Sequence, residues 1–321
     1  MSTTLNFEEL LRAWGLASFA TCDEIQASVY RIVLVGGRQV ALKALGPHTE
    51  EAIRRLTFEY DVLHHVEQQG LAVAVPLLAD DGRPYTVSEN HIYRLSNWLQ
   101  NQPAEVRTDE ERDRLWRNYG TAIARFHLAL ASYKDKDVLS RTWQTNLQKR
   151  VLDQAVPVVL NHLDQEQLTS FKALLAEVQP TMMSLYADLP LQFIIWDCHP
   201  GNIAVDGFEV SGFIDCEHMQ FAPRIFDLAY FLVQLIKFDI GDERKEVSWL
   251  AQSRQLVVGY ESVSELSAHE RGALFYAMAG IPLIFIDFFF YAGTPDLTAT
   301  EIKAFDWLVR HRQEILAKLK P

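Results

Sequence analysis

Two lobes of α+β architecture are predicted: a small antiparallel-sheet N-terminal lobe (residues 1–96) and a larger, mainly helical C-terminal lobe (residues 97–321). Three observations carry the prediction. In "ASVYRIVLVGGRQVALKAL", β-branched and apolar runs flank Gly36-Gly37, a two-residue turn of the kind that joins antiparallel strands. From Glu110 onward, apolar residues recur mainly at helical spacing. One strand–loop–strand island, "LQFIIWDCHPGNIAVDGFEVSGFID" at residues 191–215, interrupts that helical run.

The elements follow in order. Phe7, Leu10, Leu11 and Trp14 mark a short first helix, and the hairpin over the two glycines ends in "VALK" at Lys43. "TEEAIRRLTFEYDVLHHVEQQG" sets Ile53, Leu56, Tyr60 and Leu63 three to four residues apart, a helix that Gly70 stops. "VAVPLL" and "YTVSENHIYRLSNWL" read as further strands, the second pair turning near Glu89-Asn90. Polar "SNWLQNQPAEVRTDEE" supplies a hinge. Beyond it, "LWRNYGTAIARFHLAL" places Leu115, Tyr119, Ala122 and Phe126 on one helix face. More helices run through residue 188 and again from residue 226 to the end. Residues 273–293, "ALFYAMAGIPLIFIDFFFYAG", are long enough to span a membrane. They are interrupted at Gly280 and Pro282, carry Asp287 and have no companion segment, so they read as a buried core helix.

A hydrophobic share of 49% and a charged share of 22% over 321 residues suit a folded enzyme rather than a disordered chain. The net charge of −12 argues against a protein that embraces nucleic-acid backbones. No basic segment precedes a long apolar one at the N-terminus, so no signal peptide is expected. Cys22, Cys198 and Cys216 make no disulfide framework, which points to a reducing cytoplasm.

The island holds the chemistry. Its first strand delivers Trp196-Asp197, Asn202 follows five residues after the aspartate, and its second strand closes on Asp215. An aspartate, an asparagine shortly after it and a second aspartate closing a hairpin form a recurring phosphoryl-transfer arrangement. In that arrangement Asp197 orients the attacking hydroxyl and takes its proton, while Asn202 and Asp215 hold Mg2+ on nucleotide phosphates. Pro200-Gly201 lets the loop turn tightly between them. Lys43 is the candidate cation for the α and β phosphates, and Glu59 on the next helix is the candidate partner that aims it. Arg94, Leu95 and Ser96 lie where a nucleotide would be clasped at the hinge, near residues 94–98.

These residues, in this order, resemble the aminoglycoside phosphotransferase and choline kinase-like family, which has the two-lobed protein-kinase-like fold and includes homoserine kinase type II and hydroxylysine kinase. "WDCHPGNIAVDGFEVSGFID" is similar to the family's His-Gly-Asp-Leu-His-Pro-Gly-Asn-(strand)-Ile-Asp-Phe segment. "PRIFDLAYFL" is similar to its Pro-x-x-x-Asp-Leu-Ala helix start, and "IARFH" to its Leu-Ala-x-Leu-His. The resemblance implies transfer of the γ-phosphate of ATP or GTP, with Mg2+, to a hydroxyl of a small molecule. An amino alcohol or aminoglycoside-like acceptor would suit an acidic, aromatic-edged pocket lined by "FIDFFFYAG". Three departures stand out. Ile195-Trp196 replaces the family's His-Gly, so Ile195 must prop the loop by packing. The phosphate-covering loop "FATCDEIQASVYRI" has no glycine, which leaves Ser28 and backbone N–H groups to reach the phosphates. Asp215 is followed by Cys216-Glu217, and Glu217 resembles the second acid of the choline kinases' Asp-x-Glu, a candidate ligand for a second metal.

Plainer readings compete at several positions. Asp227 either caps its helix or braces the catalytic loop, a supporting role it shares with His199. His127, beside Phe126, reads as a core histidine. A zinc site from Cys198, His199, Cys216 and His218 lacks the two-to-four-residue gaps of structural zinc knuckles. Cys198 as a hydrolase nucleophile leaves Asn202, Asp215 and Lys43 without work. Two functional rivals stay open. One is a catalytically silent nucleotide-binding scaffold, suggested by Ile195 and the glycine-free loop. The other is a serine/threonine protein kinase of the bacterial stress-response type, for which the 11 residues between Asp215 and Asp227 leave little peptide platform.

Overall fold

A computed structural model describes residues 6–16, 18–134 and 146–319, so residues 135–145 of the expected helical run lie outside the described residues. The chain divides into two compact units. One is built from residues up to Gln102 together with Ser211–Glu217, the other from Pro103–Val210 and the residues from His218 on.

After a short helix α1 (Phe7–Leu11), the first unit forms a five-stranded antiparallel sheet. Its strands are β1 (Phe19–Gln26), β2 (Val29–Leu34), β3 (Gln39–Pro47), β4 (Thr86–Ser88) and β5 (His91–Asn97), in the order β1-β2-β3-β5-β4. The turn from β2 into β3 is one residue longer than the expected two. Val35, Gly36 and Gly37 form a loop closed by Leu34 N–H to Arg38 C=O at 2.8 Å and Gly37 N–H to Leu34 C=O at 2.9 Å, and the glycines supply its positive φ of +106° and +89°. Glu89 and Asn90, at φ +47° and +64°, make a two-residue turn between the paired Ser88 and His91 of β4 and β5, because two left-handed residues match the twist of the flanking strands. Side chains alternate across the sheet. Leu42, Tyr93 and Leu95 join Leu10, Leu11, Trp14, Ile32, Leu34 and Val40 in one core layer, while Ile92 packs on the other face with Leu56 and Tyr85. Lys43 and Arg94 therefore share the Ile92 face, the one covered by helix α2 (Glu50–Gln68).

Thr49 caps α2 by accepting the Ala52 N–H at 3.2 Å. The helix buries Leu56, Phe58, Glu59, Val62, Leu63 and Val66. That stripe is rotated from the one expected: Tyr60 turns partly outward and stacks on His64, whereas Glu59 falls inside. "VAVPLL" is not a strand. It makes isolated bridges at Val73 and Pro76, since proline has no N–H to continue a ladder. Val73 bridges Phe213 of the Ser211–Glu217 segment, whose backbone also bonds Ala72 and Ala74.

The two-residue β6 (Gln102–Pro103) leads into the second unit. Helix α3 (Asp109–Ser132) opens with a full capping box from Thr108 and Glu111. A π-helical stretch, Asn146–Ala155, runs into α4 (Val156–Leu160), and α5 (Gln165–Ala187) follows. The island comprises β7 (Leu191–Ile194), β8 (Ile203–Gly207) and β9 (Glu209–Phe213), and β10 (Gln220–Pro223) follows it. β7 and β10 pair antiparallel, Ile194 opposite Gln220 and Leu191 opposite Pro223. The remaining helices are α6 (Ile225–Ile236), α7 (Glu243–Glu261), α8 (Ala268–Tyr291), α9 (Pro295–Arg310) and α10 (Arg312–Lys318). Among the described residues α8 is the one helix long and apolar enough to cross a membrane, and 72% of its most apolar window is buried inside the protein. It packs against α5, α6 and α9, and its Phe275 is among the largest fully buried side chains, with Phe126, Tyr186, Phe226, Phe231, Tyr260 and Phe305.

Candidate active site

The loop after β7 is shaped by one buried carboxylate. Asp227 has no exposure, and its two oxygens accept the Ile195 and Trp196 N–H groups, each at 2.8 Å. It lies within the first turn of α6, whose N-cap is Arg224, so it braces the loop and does not cap the helix. His127 Nε2 approaches the same carboxylate at 2.8 Å, and its Nδ1 lies 2.8 Å from the Tyr260 hydroxyl. A carboxylate only accepts, so Nε2 carries a proton toward Asp227. His127 is buried, as a core histidine should be, yet each ring nitrogen has a polar partner. Ile195 is buried by packing. Trp196 stands at φ +69°, a conformation uncommon for a bulky residue, with its indole stacked on Phe226 at 5.8 Å and 7°.

Asp197 follows directly. Its Oδ1 accepts from the Tyr230 hydroxyl at 2.7 Å and its Oδ2 from the Asn202 amide at 3.0 Å. The Asn202 amide also donates to the Asp197 carbonyl at 3.0 Å, across the short 3₁₀ turn Pro200–Asn202. With its NH2 group turned to Asp197, Asn202 presents its amide oxygen away from it. His199 caps that turn by accepting the Gly201 N–H at 3.1 Å, and its Nε2 lies 3.8 Å from Asp197 Oδ2. Burial, and then the adjoining Asp197 charge, push the Tyr230 phenol far above its ordinary range, so it stays protonated and donating. Tyr230 escaped the sequence reading. Its signal was the spacing in "DLAY", which sets Asp227 and Tyr230 on one helix face, three residues apart.

The second set lies in the first unit. Lys43 Nζ is 2.5 Å from Asp215 Oδ1 and 2.9 Å from Glu217 Oε1. The carboxylate expected to aim Lys43 has another partner: Glu59 takes Arg94 Nη1 at 2.5 Å. The register explains the exchange. Lys43 and Arg94 are direct partners across β3 and β5, so two like charges stand side by side under α2 and need anions on both flanks. Arg94 reaches on to Asp215 at 3.9 Å and Glu217 at 3.7 Å. Burial pushes the Glu59 carboxyl up while Arg94 draws it back, and the net direction is up. Burial alone would lower Arg94, but Glu59, Glu217 and Asp215 outweigh it and raise it. Asp215 Oδ1 and Glu217 Oε1 converge on a single cationic group, a donor pair that suits an oxygen-seeking divalent ion.

The other expected nucleotide contacts divide. Ser28, at φ +68° in the β1–β2 turn, accepts the Ala44 N–H through its carbonyl and so sits one strand from Lys43. Leu95 is fully buried in the core, its carbonyl bonded to Leu77 N–H, and Ser96 is buried beside Pro76. Of the metal and catalytic candidates, Asp197 and Asn202 meet within the second unit, and Asp215 and Glu217 meet Lys43 within the first.

The fold is shared with known enzymes. An aminoglycoside phosphotransferase from Alicyclobacillus acidocaldarius subsp. acidocaldarius DSM 446 superposes with a TM-score of 0.72 at 18% identity, covering 99% of this chain and 96% of that one. Amicoumacin kinase hAmiN, solved in complex with AMP-PNP, Ca2+ and Ami, matches with a TM-score of 0.66 at 14% identity over 94% and 92% of the two chains. By fold, then, this is a kinase-like protein. A homoserine kinase of Neisseria meningitidis serogroup B (strain ATCC BAA-335 / MC58) is 27% identical over 267 residues, 81% of this chain and 80% of its own. The sequence profile of the phosphotransferase enzyme family (APH) matches residues 24–266, and the chain belongs to that family, as a small-molecule kinase.

Proposed function

We propose that the protein transfers the γ-phosphate of ATP to the hydroxyl of a small amino alcohol, with Mg2+. Asp197 carries the proposal: a carboxylate at the end of a strand, held at both oxygens by neutral donors, Tyr230 and Asn202. Each carboxylate oxygen keeps a further lone pair beyond these bonds, so Asp197 can still accept the proton of an alcohol. Asp197 orients the acceptor hydroxyl and receives its proton as the oxygen attacks the γ-phosphorus. Lys43 neutralises nucleotide phosphate charge, and Arg94 with Glu59 keeps the surrounding ion network in register. Bound Mg2+ would neutralise charge on the β and γ oxygens, and Asn202, Asp215 and Glu217 are the residues that would hold it. Residues 1–96 act as the nucleotide-clamping lobe and residues 97–321 as the catalytic and acceptor-binding lobe.

The likeness to a homoserine kinase supports a small hydroxyl-bearing amino compound as acceptor, and the net charge of −12 favours one that carries a positive group. The test is ADP release across homoserine, short amino alcohols and aminoglycosides, with Asp197→Asn as the blank. The expected loss in kcat is about 10²- to 10⁴-fold, with nucleotide binding retained. Turnover should cease on chelation of divalent ions and return with Mg2+. An Asp197→Asn enzyme matching wild type on every accepted compound would refute the assignment of the base.

A further inference from the structure

We propose that Tyr230 is the positioning residue of the reaction: its phenol holds Asp197 in the orientation that receives the acceptor hydroxyl. The inference rests on the assignment of Asp197 as the base and goes beyond it, because Tyr230 is placed by its contacts alone.

Asp197 is reachable from solvent, its side chain 28% exposed, and a lone exposed carboxylate samples several rotamers. Tyr230 is 6% exposed. Its ring is stacked on Phe285 at 5.3 Å and 15° and meets His199 edge-on at 6.2 Å. The ring is clamped, so the hydroxyl points in one direction, 2.7 Å from Asp197 Oδ1. If Asp197 rotated away, it would strand a buried hydroxyl without an acceptor, which penalises the wrong rotamer. Asn202 performs the same service at Oδ2. The two differ in origin: Asn202 belongs to the loop that carries Asp197, whereas Tyr230 belongs to α6, one turn beyond Asp227. One helix face thus fixes both the backbone before the base, through Asp227, and the carboxylate itself, through Tyr230.

A residue that only positions the base should change kcat and not nucleotide affinity. Tyr230→Phe keeps the ring and removes the O–H, and the expected result is a fall in kcat of about 10- to 100-fold. The KM for ATP should stay within about twofold and the melting temperature should be nearly unchanged. In an Asp197→Asn background the same substitution should cost nothing further, since the group it acts through is gone. Phe285→Leu loosens the ring stack and leaves the phenol in place. A positioning role predicts a smaller kcat loss from it than from Tyr230→Phe, and a packing role the reverse. The proposal is overturned by an unchanged kcat in Tyr230→Phe, or by equal losses in the two backgrounds. An Asp197→Asn enzyme as active as wild type would instead show that the base itself is misassigned.

Discussion

Glu59 is 4% exposed, and a carboxylate that deep needs a cation within hydrogen-bond reach. Sequence alone offered Lys43. The structure supplies Arg94, because strand alternation places both cations under α2 and the guanidinium matches a buried carboxylate better than an ammonium does. Removing one member leaves the other charged and buried. Arg94→Met is therefore expected to cost about 3–5 kcal/mol, and Glu59→Leu combined with Arg94→Met should recover most of that loss. Urea unfolding of the single and double variants measures both. Trp196 shows the opposite relation between residue and surroundings. Its left-handed backbone costs about 1–3 kcal/mol, and the Asp227 oxygens that hold the Ile195 and Trp196 N–H groups over-determine the turn. The departure from the family's His-Gly was visible in the sequence. So was Asp227 as a candidate brace, but that His127 joins it was not, since the two lie 100 residues apart in the chain.

At the scale of elements, α3 and α7 cross almost backbone to backbone. A methyl group on Gly120 would lie 2.0 Å from the Leu256 carbonyl oxygen, and one on Gly259 would lie 2.1 Å from the Arg117 carbonyl oxygen. Nothing at those positions can give way by rotating a side chain, so Gly259→Ala must push two helices apart. It is expected to destabilise by about 3 kcal/mol, the upper end of the overpacking range. Gly272, exposed in α8 with open space around its Cβ position, is the control, and Gly272→Ala should stabilise by about 0.5–1 kcal/mol. Melting temperatures moving in opposite directions would bear out the contrast. The periodicity that announces α3 is legible in Leu115, Tyr119, Ala122 and Phe126. The glycines reveal their purpose only once the partner helix is known.

At the scale of the whole molecule, charge governs the acid limb of stability. Burial alone would raise the Glu270 carboxyl. Hydrogen bonds from Arg224 and the Ser267 N–H outweigh burial and hold it below its ordinary value of 4.5. A lowered carboxyl stabilises the fold above that ordinary value, and the contribution is lost as pH falls through the lowered one. Glu59 and Glu301, raised by burial against the pull of Arg94 and Lys237, run the other way: they favour the fold below 4.5 and oppose it as pH rises through their raised values. Glu270→Gln is therefore expected to cost about 2 kcal/mol at pH 7 and less at pH 3. Urea midpoints at the two pH values test the sign. An equal loss at both would mean that the carboxylate charge contributes nothing there.

Local chemistry was enough to reveal the hairpin over Gly36-Gly37, the helical remainder and the island, and to propose Lys43, Asp197, Asn202 and Asp215 for the site, because turns, periodicity and motif spacing are properties of neighbouring residues. Pairings across long separations were decided only by the tertiary structure. Glu59 went to Arg94, Asp227 to the backbone of Ile195 and Trp196, Tyr230 to Asp197, and Ser211–Glu217 to the unit built by the first hundred residues. The physical reason is that a buried polar group must be satisfied by whatever the fold brings within about 3 Å, and chain order does not determine which group that is.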